Sequence, residues 1–276
     1  MKHTILTSTA AASILIGTAQ AATVTWNNTS TDGLWYTDAN WDTGSTPVVD
    51  GTDNVMINNG DTITHNPSAD LDITTGSTVT VSGGSTVNQT VTNWQRLQGG
   101  TLTIDNATWN TTSYFRVGFD NGDAGGTFNL INGASATFDN EFHVGPDVTR
   151  AWTNPGFTFD MNIGGGSTLD LNGAVGMWLY DSDLSDYNIN FTGAGTIEGR
   201  IGIETEGVAN NVATWENLWD NGILQWNGAN VGQFDDYFST SGTAGTTEYT
   251  LTAVPEPSSA ALVGLSGLAL ILRRRK

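Results

Sequence analysis

From Gly76 onward, apolar and polar residues alternate. Thr80 separates Val79 from Val81, Thr103 separates Leu102 from Ile104, Asn129 separates Phe128 from Leu130, and Asp170 separates Leu169 from Leu171. Successive side chains of a strand point to opposite faces, so this period of two predicts half-buried strands. Their inward positions are Val79, Val81, Leu102, Ile104, Phe128, Leu130, Phe138, Leu169 and Leu171. Thr, Asn and Asp occupy the other face, where they suit solvent and lateral hydrogen bonding. Glycine-led phrases punctuate the strands, among them Gly76-Ser77-Thr78, Gly84-Ser85-Thr86, Gly99-Gly100-Thr101, Gly125-Gly126-Thr127, Gly133-Ala134-Ser135 and Gly165-Gly166-Ser167. Glycine supplies the positive-φ turns such phrases need. No stretch between the two ends carries a sustained helical period, which makes the body all-β.

The phrases recur at a degenerate interval: 26 residues from Thr101 to Thr127, 27 from Val117 to Val144, and 32 from Gly133 to Gly165. A period of this length with strand-sized elements predicts a parallel β-helix, or β-solenoid, whose stacked coils bury one apolar column. An antiparallel β-sandwich fits the same alternation and is the alternative. An open stack needs its end strands covered. Two tryptophan-rich flanks are suited to covering them, Trp26 through Trp35, Trp41 and Pro47 at one end, and Trp215 through Trp219, Trp226 and Phe238 at the other. The expected organisation is a leader over 1–21, an N-terminal cap over 22–60, repeats over 61–205, a C-terminal β cap over 206–252 and a distinct tail over 253–276. The first flank, with its W…W…NW…P…D order, and the later Val-Gly and Gly-Gly-Thr phrases resemble exported, autotransporter-like β-helical repeat proteins. That likeness spans Trp26 to Leu171.

Both ends read as addresses. Lys2 precedes an apolar stretch and then Ala19-Gln20-Ala21, a secretory signal peptide with cleavage between Ala21 and Ala22. At the other end, Pro255-Glu256-Pro257 is followed by the uncharged Ala260–Leu272 and then by Arg273, Arg274, Arg275 and Lys276. As a helix, Ala260–Leu272 would span about 20 Å, short of a hydrocarbon core of about 30 Å. The basic cluster would stay on the cytoplasmic side, and the shortness of the helix limits the segment to transient membrane contact. Motif, short greasy helix and terminal arginine run together resemble the PEP-CTERM sorting signal of Gram-negative bacteria. The resemblance implies export through the Sec machinery and recognition of Pro255-Glu256-Pro257 by an exosortase-like processing enzyme. It also implies delivery to the envelope surface or extracellular matrix, often with exopolysaccharide.

Charge narrows the function further. Between the terminal basic residues stand four arginines, Arg96, Arg116, Arg150 and Arg200, against 28 acids, leaving the body at −24. Such a surface cannot neutralise phosphates, so nucleic acid is excluded as a partner. The absence of cysteine removes disulfides, thiol catalysis and cysteine-ligated metals. His65 and His143 have no partner at metal-site spacing and read as packed or solvent-facing residues; no metal and no cofactor is expected. Gly193-Ala194-Gly195-Thr196-Ile197-Glu198-Gly199 misses the dinucleotide-fingerprint spacing and reads as a turn. Carboxylate groups occur at Asp70/Asp72, Asp181/Asp183/Asp186 and Asp235/Asp236. Asp70 and Asp72, as alternate strand residues, would stand about 7 Å apart, a glycosidase-like separation. No catalytic motif accompanies them, and Asp181–Asp186 lacks the turn glycine and final Glu of a calcium loop. The expectation is therefore a non-enzymatic, exported structural protein of the surface or matrix. A carbohydrate-binding module is the second reading, and a β-helical polysaccharide-degrading enzyme the third.

Overall fold

The computed structural model describes residues 21–254, apart from 67–69, 91–92, 147–151, 153, 172–175, 181–183 and 206–207. The chain visits three sheets in a fixed rotation. One passage runs from Thr78–Val81 in the first sheet to Thr86–Gln89 in the second and Gln95–Gln98 in the third. The next comprises Thr101–Asp105, Thr108–Thr111 and Phe115–Val117, followed by Gly125–Ile131, Ser135–Phe138 and Phe142–Val144. Each strand pairs in parallel with its counterparts in the neighbouring passages, so Val79 lies beside Leu102, Leu102 beside Phe128 and Phe128 beside Met161. This arrangement is consistent with a solenoid and departs from a sandwich. Antiparallel pairing between described strands is confined to the C-terminal end, where Val208–Val212 lies on Ile201–Thr205. There too, Thr250–Ala253 lies between Phe238–Ser241 and Gly195–Gly199.

The alternation has the expected consequence. All nine predicted inward side chains, from Val79 to Leu171, are fully buried. At the middle of the stack the core is aromatic. Phe128, Phe138 and Phe142 enter from the three sheets of one passage with ring centroids 5.0–6.1 Å apart, and Phe115 packs beneath them. Edge-to-face rings at such distances add to the area they bury.

The expected register holds at first: Thr101 pairs with Thr127, and Val117 with Val144. It is then one residue off. Ser135 pairs with Thr168 and Ala136 with Leu169, so the interval there is 33, not 32. Inward side chains set the pairing, since a one-residue slip would turn Leu169 out to solvent. The glycines Gly165 and Gly166 sit in the turn, where either one mimics the earlier phrase. A second correction concerns Gly193–Gly199. Only its first residues turn; Gly195–Gly199 is a strand of the second sheet, paired with Ser167–Leu171.

On the outer face of the first sheet, side chains repeat the backbone ladder. Asn129 donates to Thr103 Oγ1 (3.1 Å), Asn162 to Asn129 Oδ1 (2.9 Å) and Asn190 to Asn162 Oδ1 (3.1 Å). The last carbonyl accepts from the Gly228 N–H at 2.8 Å. In-register parallel stacking makes this possible, because each amide meets its successor at one strand spacing, about 4.8 Å. Asn162→Ala removes one donated and one accepted bond and is expected to cost about 1–2 kcal/mol, read as a shift in the urea midpoint with unchanged slope.

Both ends of the stack are covered. Trp26, Trp35 and Trp41 are buried, with Trp41 edge-on to both others at 5.1 and 5.0 Å. The Trp41 indole donates to Trp35 O (2.8 Å) and that of Trp26 to Asp61 (3.0 Å). At the other end a helix not anticipated from the sequence, Trp215–Asp220, buries Trp215, Leu218 and Trp219. Their i, i+3, i+4 spacing is the helical signal, too short to stand out, and Thr214 caps the helix by accepting from Asn217 N at 3.2 Å.

Candidate functional site: the outer face of the third sheet

The third sheet breaks the rule of polar exteriors. Phe115–Val117, Phe142–Val144 and Met177–Tyr180 are buried on both faces. Parallel register aligns Asp72, Arg96, Arg116, His143, Trp178 and Gly202 into one outward column. All three arginines of the described body, Arg96, Arg116 and Arg200, gather on this face. Four rings contribute as well: Trp94, Tyr114, Phe119 and Tyr180.

Arg96 organises one end. Its guanidinium donates from Nε and an Nη to Asp72 at 2.6 Å each, and from the other Nη to Asp120 at 2.7 Å; Asp70 lies 3.4 Å away. The bidentate geometry is the strong form of such a pair. The hydrogen bond to Asp72 raises the Arg96 pKa, working against burial, with the charges of Asp72, Asp70 and Asp120 adding to it. Asp70 stands just before the strand Leu71–Thr74 that carries Asp72, and the Arg96 guanidinium reaches both carboxylates.

Next along the column, the Arg116 guanidinium lies between the Trp94 and Phe119 rings, 3.9 and 3.8 Å from their centroids, with Tyr114 at 4.7 Å. His143 stacks on Tyr180 at 3.8 Å with its plane tilted by only 10°. Its Nδ1 is 3.2 Å from Glu141 Oε1 and its Nε2 is 2.9 Å from Gly145 O, while the Tyr180 hydroxyl donates to the same Glu141 oxygen at 2.9 Å. Burial pushes the His143 imidazole below its ordinary range, opposed by Glu141 and reinforced by Arg116. Burial also works against the Glu141 charge, but bonds from His143 and Tyr180, with Arg116 nearby, hold its carboxyl low. Gly202 ends the column because the Trp178 ring occupies the place of a side chain there; an added Cβ would stand 2.0 Å from it. This face is a packed network of aromatic rings, arginines and acids.

His65 belongs to the N-terminal cap. It is fully buried, edge-on to Trp35 at 5.1 Å, with Nε2 3.0 Å from the Tyr36 hydroxyl. Burial lowers its pKa from 6.5 to about 3. The folded state therefore binds this proton less readily than the unfolded chain does. Stability from the neutral ring is complete above pH 6.5 and is lost progressively as pH falls toward 3. The melting temperature is expected to fall over that window, and His65→Gln to flatten the part of the slope between about pH 6 and 4 relative to the parent.

The remaining sequence candidates are dispersed. Asp181 and Asp183 lie outside the described residues, and Asp186 is exposed in the turn Leu184–Asp186. Asp236 accepts from Gln233 N at 3.1 Å, closing its own turn, and Asp235 is exposed. Among the described residues no group of three or more His, Cys, Asp or Glu is arranged to hold a metal ion. None of their helices is long and apolar enough to cross a membrane. Ala22 opens the first strand, Ala22–Thr25, paired with Asp53–Ile57. Ala19, Pro255, Glu256, Pro257, Arg273, Arg274, Arg275, Lys276 and the expected terminal helices lie outside the described residues.

The fold delivers the chain to its tail without slack. Ala253 is buried as the last residue of its strand, and Val254 N donates to Tyr237 O at 2.7 Å. Pro255 has no N–H with which to extend that pairing. Residues 253–276 match the family profile of the PEP-CTERM protein-sorting motif. The chain carries an exosortase sorting signal. Such a PEP-CTERM motif marks an exported, envelope-associated protein handled by an exosortase-type enzyme. Neither the curated proteins nor the solved structures contain a match to this chain.

Proposed function

We propose that this PEP-CTERM protein is a non-enzymatic structural component of the cell surface or extracellular matrix of a Gram-negative bacterium. Its three-sheet body serves as an acidic β-solenoid shaft, associated with exopolysaccharide. The observation that carries this reading is the character of the exterior. The first sheet is clad in the Asn/Thr ladder. The second presents a hydroxyl column of Thr62, Thr86, Thr108, Ser135, Thr168 and Thr196, one from each successive strand. No tryptophan among the described residues is exposed: eight are buried and Trp94 and Trp152 are half-buried. Asp70 and Asp72, the leading carboxylate pair, are engaged by Arg96, which supports a structural role for them. Strong negative charge keeps such shafts soluble and mutually repelling.

Mass spectrometry of the protein recovered from its native envelope or matrix tests this assignment. The expected species begins at Ala22 and lacks the residues after Pro255-Glu256-Pro257, and it turns over none of a panel of acidic polysaccharides. Recovery from the cytosol with both ends intact, or measurable depolymerisation, would overturn the reading.

A further inference from the structure

The N-terminal cap holds a cleft of about 260 Å³ that the shaft does not require. Tyr36, Val48 and Leu71 form its apolar wall, and Asp50, Asp70 and Asp72 line it with carboxylates. Two features separate it from the rest of the surface. First, Tyr36, 43% exposed, is the one exposed aromatic ring among the described residues, and Val48 beside it is 53% exposed. Every other described ring is wholly or half buried, so an open ring here departs from the packing rule of this chain. Second, the ring is held. Its hydroxyl shares the 3.0 Å bond with fully buried His65, whose ring centroid is 5.3 Å from that of Tyr36. An exposed aromatic anchored from behind by a buried polar group is a preorganised platform.

The carboxylates are oriented too. Asp70 Oδ1 accepts from the Trp94 backbone N–H (2.9 Å), Asp72 is gripped by Arg96, and Asp50 Oδ1 accepts from the Thr52 hydroxyl (2.8 Å). Asp70 and Asp72 remain about a third exposed and keep acceptor capacity beyond these bonds. One guanidinium shared with Asp120 cannot offset three carboxylates, so the cleft stays acidic; beside its apolar wall it presents hydrogen-bond acceptors suited to hydroxyl donors. A purely apolar occupant would strip water from three carboxylates without replacing its hydrogen bonds. The complementary molecule has an apolar C–H face for Tyr36 and Val48 and hydroxyl groups on its edge for the carboxylates.

We infer that this cleft is a binding subsite for a single neutral pyranose ring. The inference deepens the matrix reading by giving the shaft one glycan contact at its N-terminal end. The cleft volume suits one ring and not a polymer segment, and weak binding, about millimolar, is expected of so small a contact.

Saturation-transfer NMR on the full-length protein with glucose, galactose, mannose and N-acetylglucosamine tests it, with arginine methyl ester as a cationic competitor. At least one sugar is expected to show saturable transfer to its ring C–H protons. Tyr36→Ala and Val48→Glu should each weaken that binding about tenfold; Val48→Glu should leave circular dichroism and melting unchanged, whereas Tyr36→Ala also takes the hydroxyl partner from buried His65 and should lower the melting temperature. Should Tyr36→Ala disturb the fold, Val48→Glu alone decides, since that side chain is mostly in solvent. Absence of transfer from all four sugars overturns the inference, as does binding unaltered by the folded variants or preferential uptake of arginine methyl ester. Those results leave the tail processing and the absence of turnover untouched, so the matrix reading stands or falls separately.

Discussion

Leu130→Asp is expected to abolish the folded body. Leu130 is fully buried in the first sheet, stacked between Ile104 and Ile163 of the neighbouring passages. An aspartate there places a charge in an apolar column where no arginine is at hand, since the described ones all lie on the outer face of the third sheet. Burying an unpaired carboxylate costs more than the roughly 4–5 kcal/mol that marks exceptional substitutions. That is a large fraction of a whole domain's stability, about 5–15 kcal/mol. Each passage through the three sheets is paired with its neighbours, so the loss spreads and is not confined to one strand. Far-ultraviolet circular dichroism should lose its β signal, with no cooperative melt remaining; Val81→Asp and Leu102→Asp should behave alike. Thr101→Asp is the control, because Thr101 points outward on the same sheet and should cost less than about 1 kcal/mol. A cooperative melt near the parent temperature for Leu130→Asp would refute the inward assignment.

The second large effect is expected at Arg96. Removing it as Arg96→Met retains much of the stem but leaves Asp70, Asp72 and Asp120 facing one another without their shared cation. Breaking a buried pair from one side costs about 3–5 kcal/mol; these carboxylates are about a third exposed, so about 2–4 kcal/mol is expected. Arg96→Lys should recover only part of this, because a single ammonium cannot reproduce the fork that serves Asp72 and Asp120 together. A double-mutant cycle with Asp72→Asn isolates the pair, and a coupling above about 1 kcal/mol is expected from chemical denaturation. Additive single substitutions would mean that Arg96 acts through packing against Trp94, whose centroid is 5.9 Å away, and not through its acids.

The two halves of the molecule differed in how readable they were. In the first and second sheets, alternation was enough: Thr101-Leu102-Thr103-Ile104 can bury only one of its faces, and the structure buries that one. The third sheet resisted the same logic. Phe115-Arg116-Val117 and Phe142-His143-Val144 also alternate, yet Arg116 and His143 are as hidden as their neighbours. Phe119, from the turn beyond the strand, covers both, lying 3.8 Å from Arg116 and 4.7 Å from His143. Nothing local to Arg116 announces a cover that arrives from another segment. Asp70 and Asp72 were legible as a pair, but Arg96, which makes them structural, reaches them only through the coil spacing.

Local geometry is short-ranged, and the sequence therefore determined what local geometry controls. It settled the strand class, the nine inward residues, the tryptophan-rich ends and the tail whose motif the family profile matches. Tertiary structure alone decided the one-residue change of register, the alignment of Asp72, Arg96, Arg116, His143 and Trp178 into one column, and the exposure of Tyr36. These depend on which strands become neighbours and on what the turns lay over them. Those partners lie twenty or more residues apart, and the whole stack of buried side chains selects them together, which no single segment can encode.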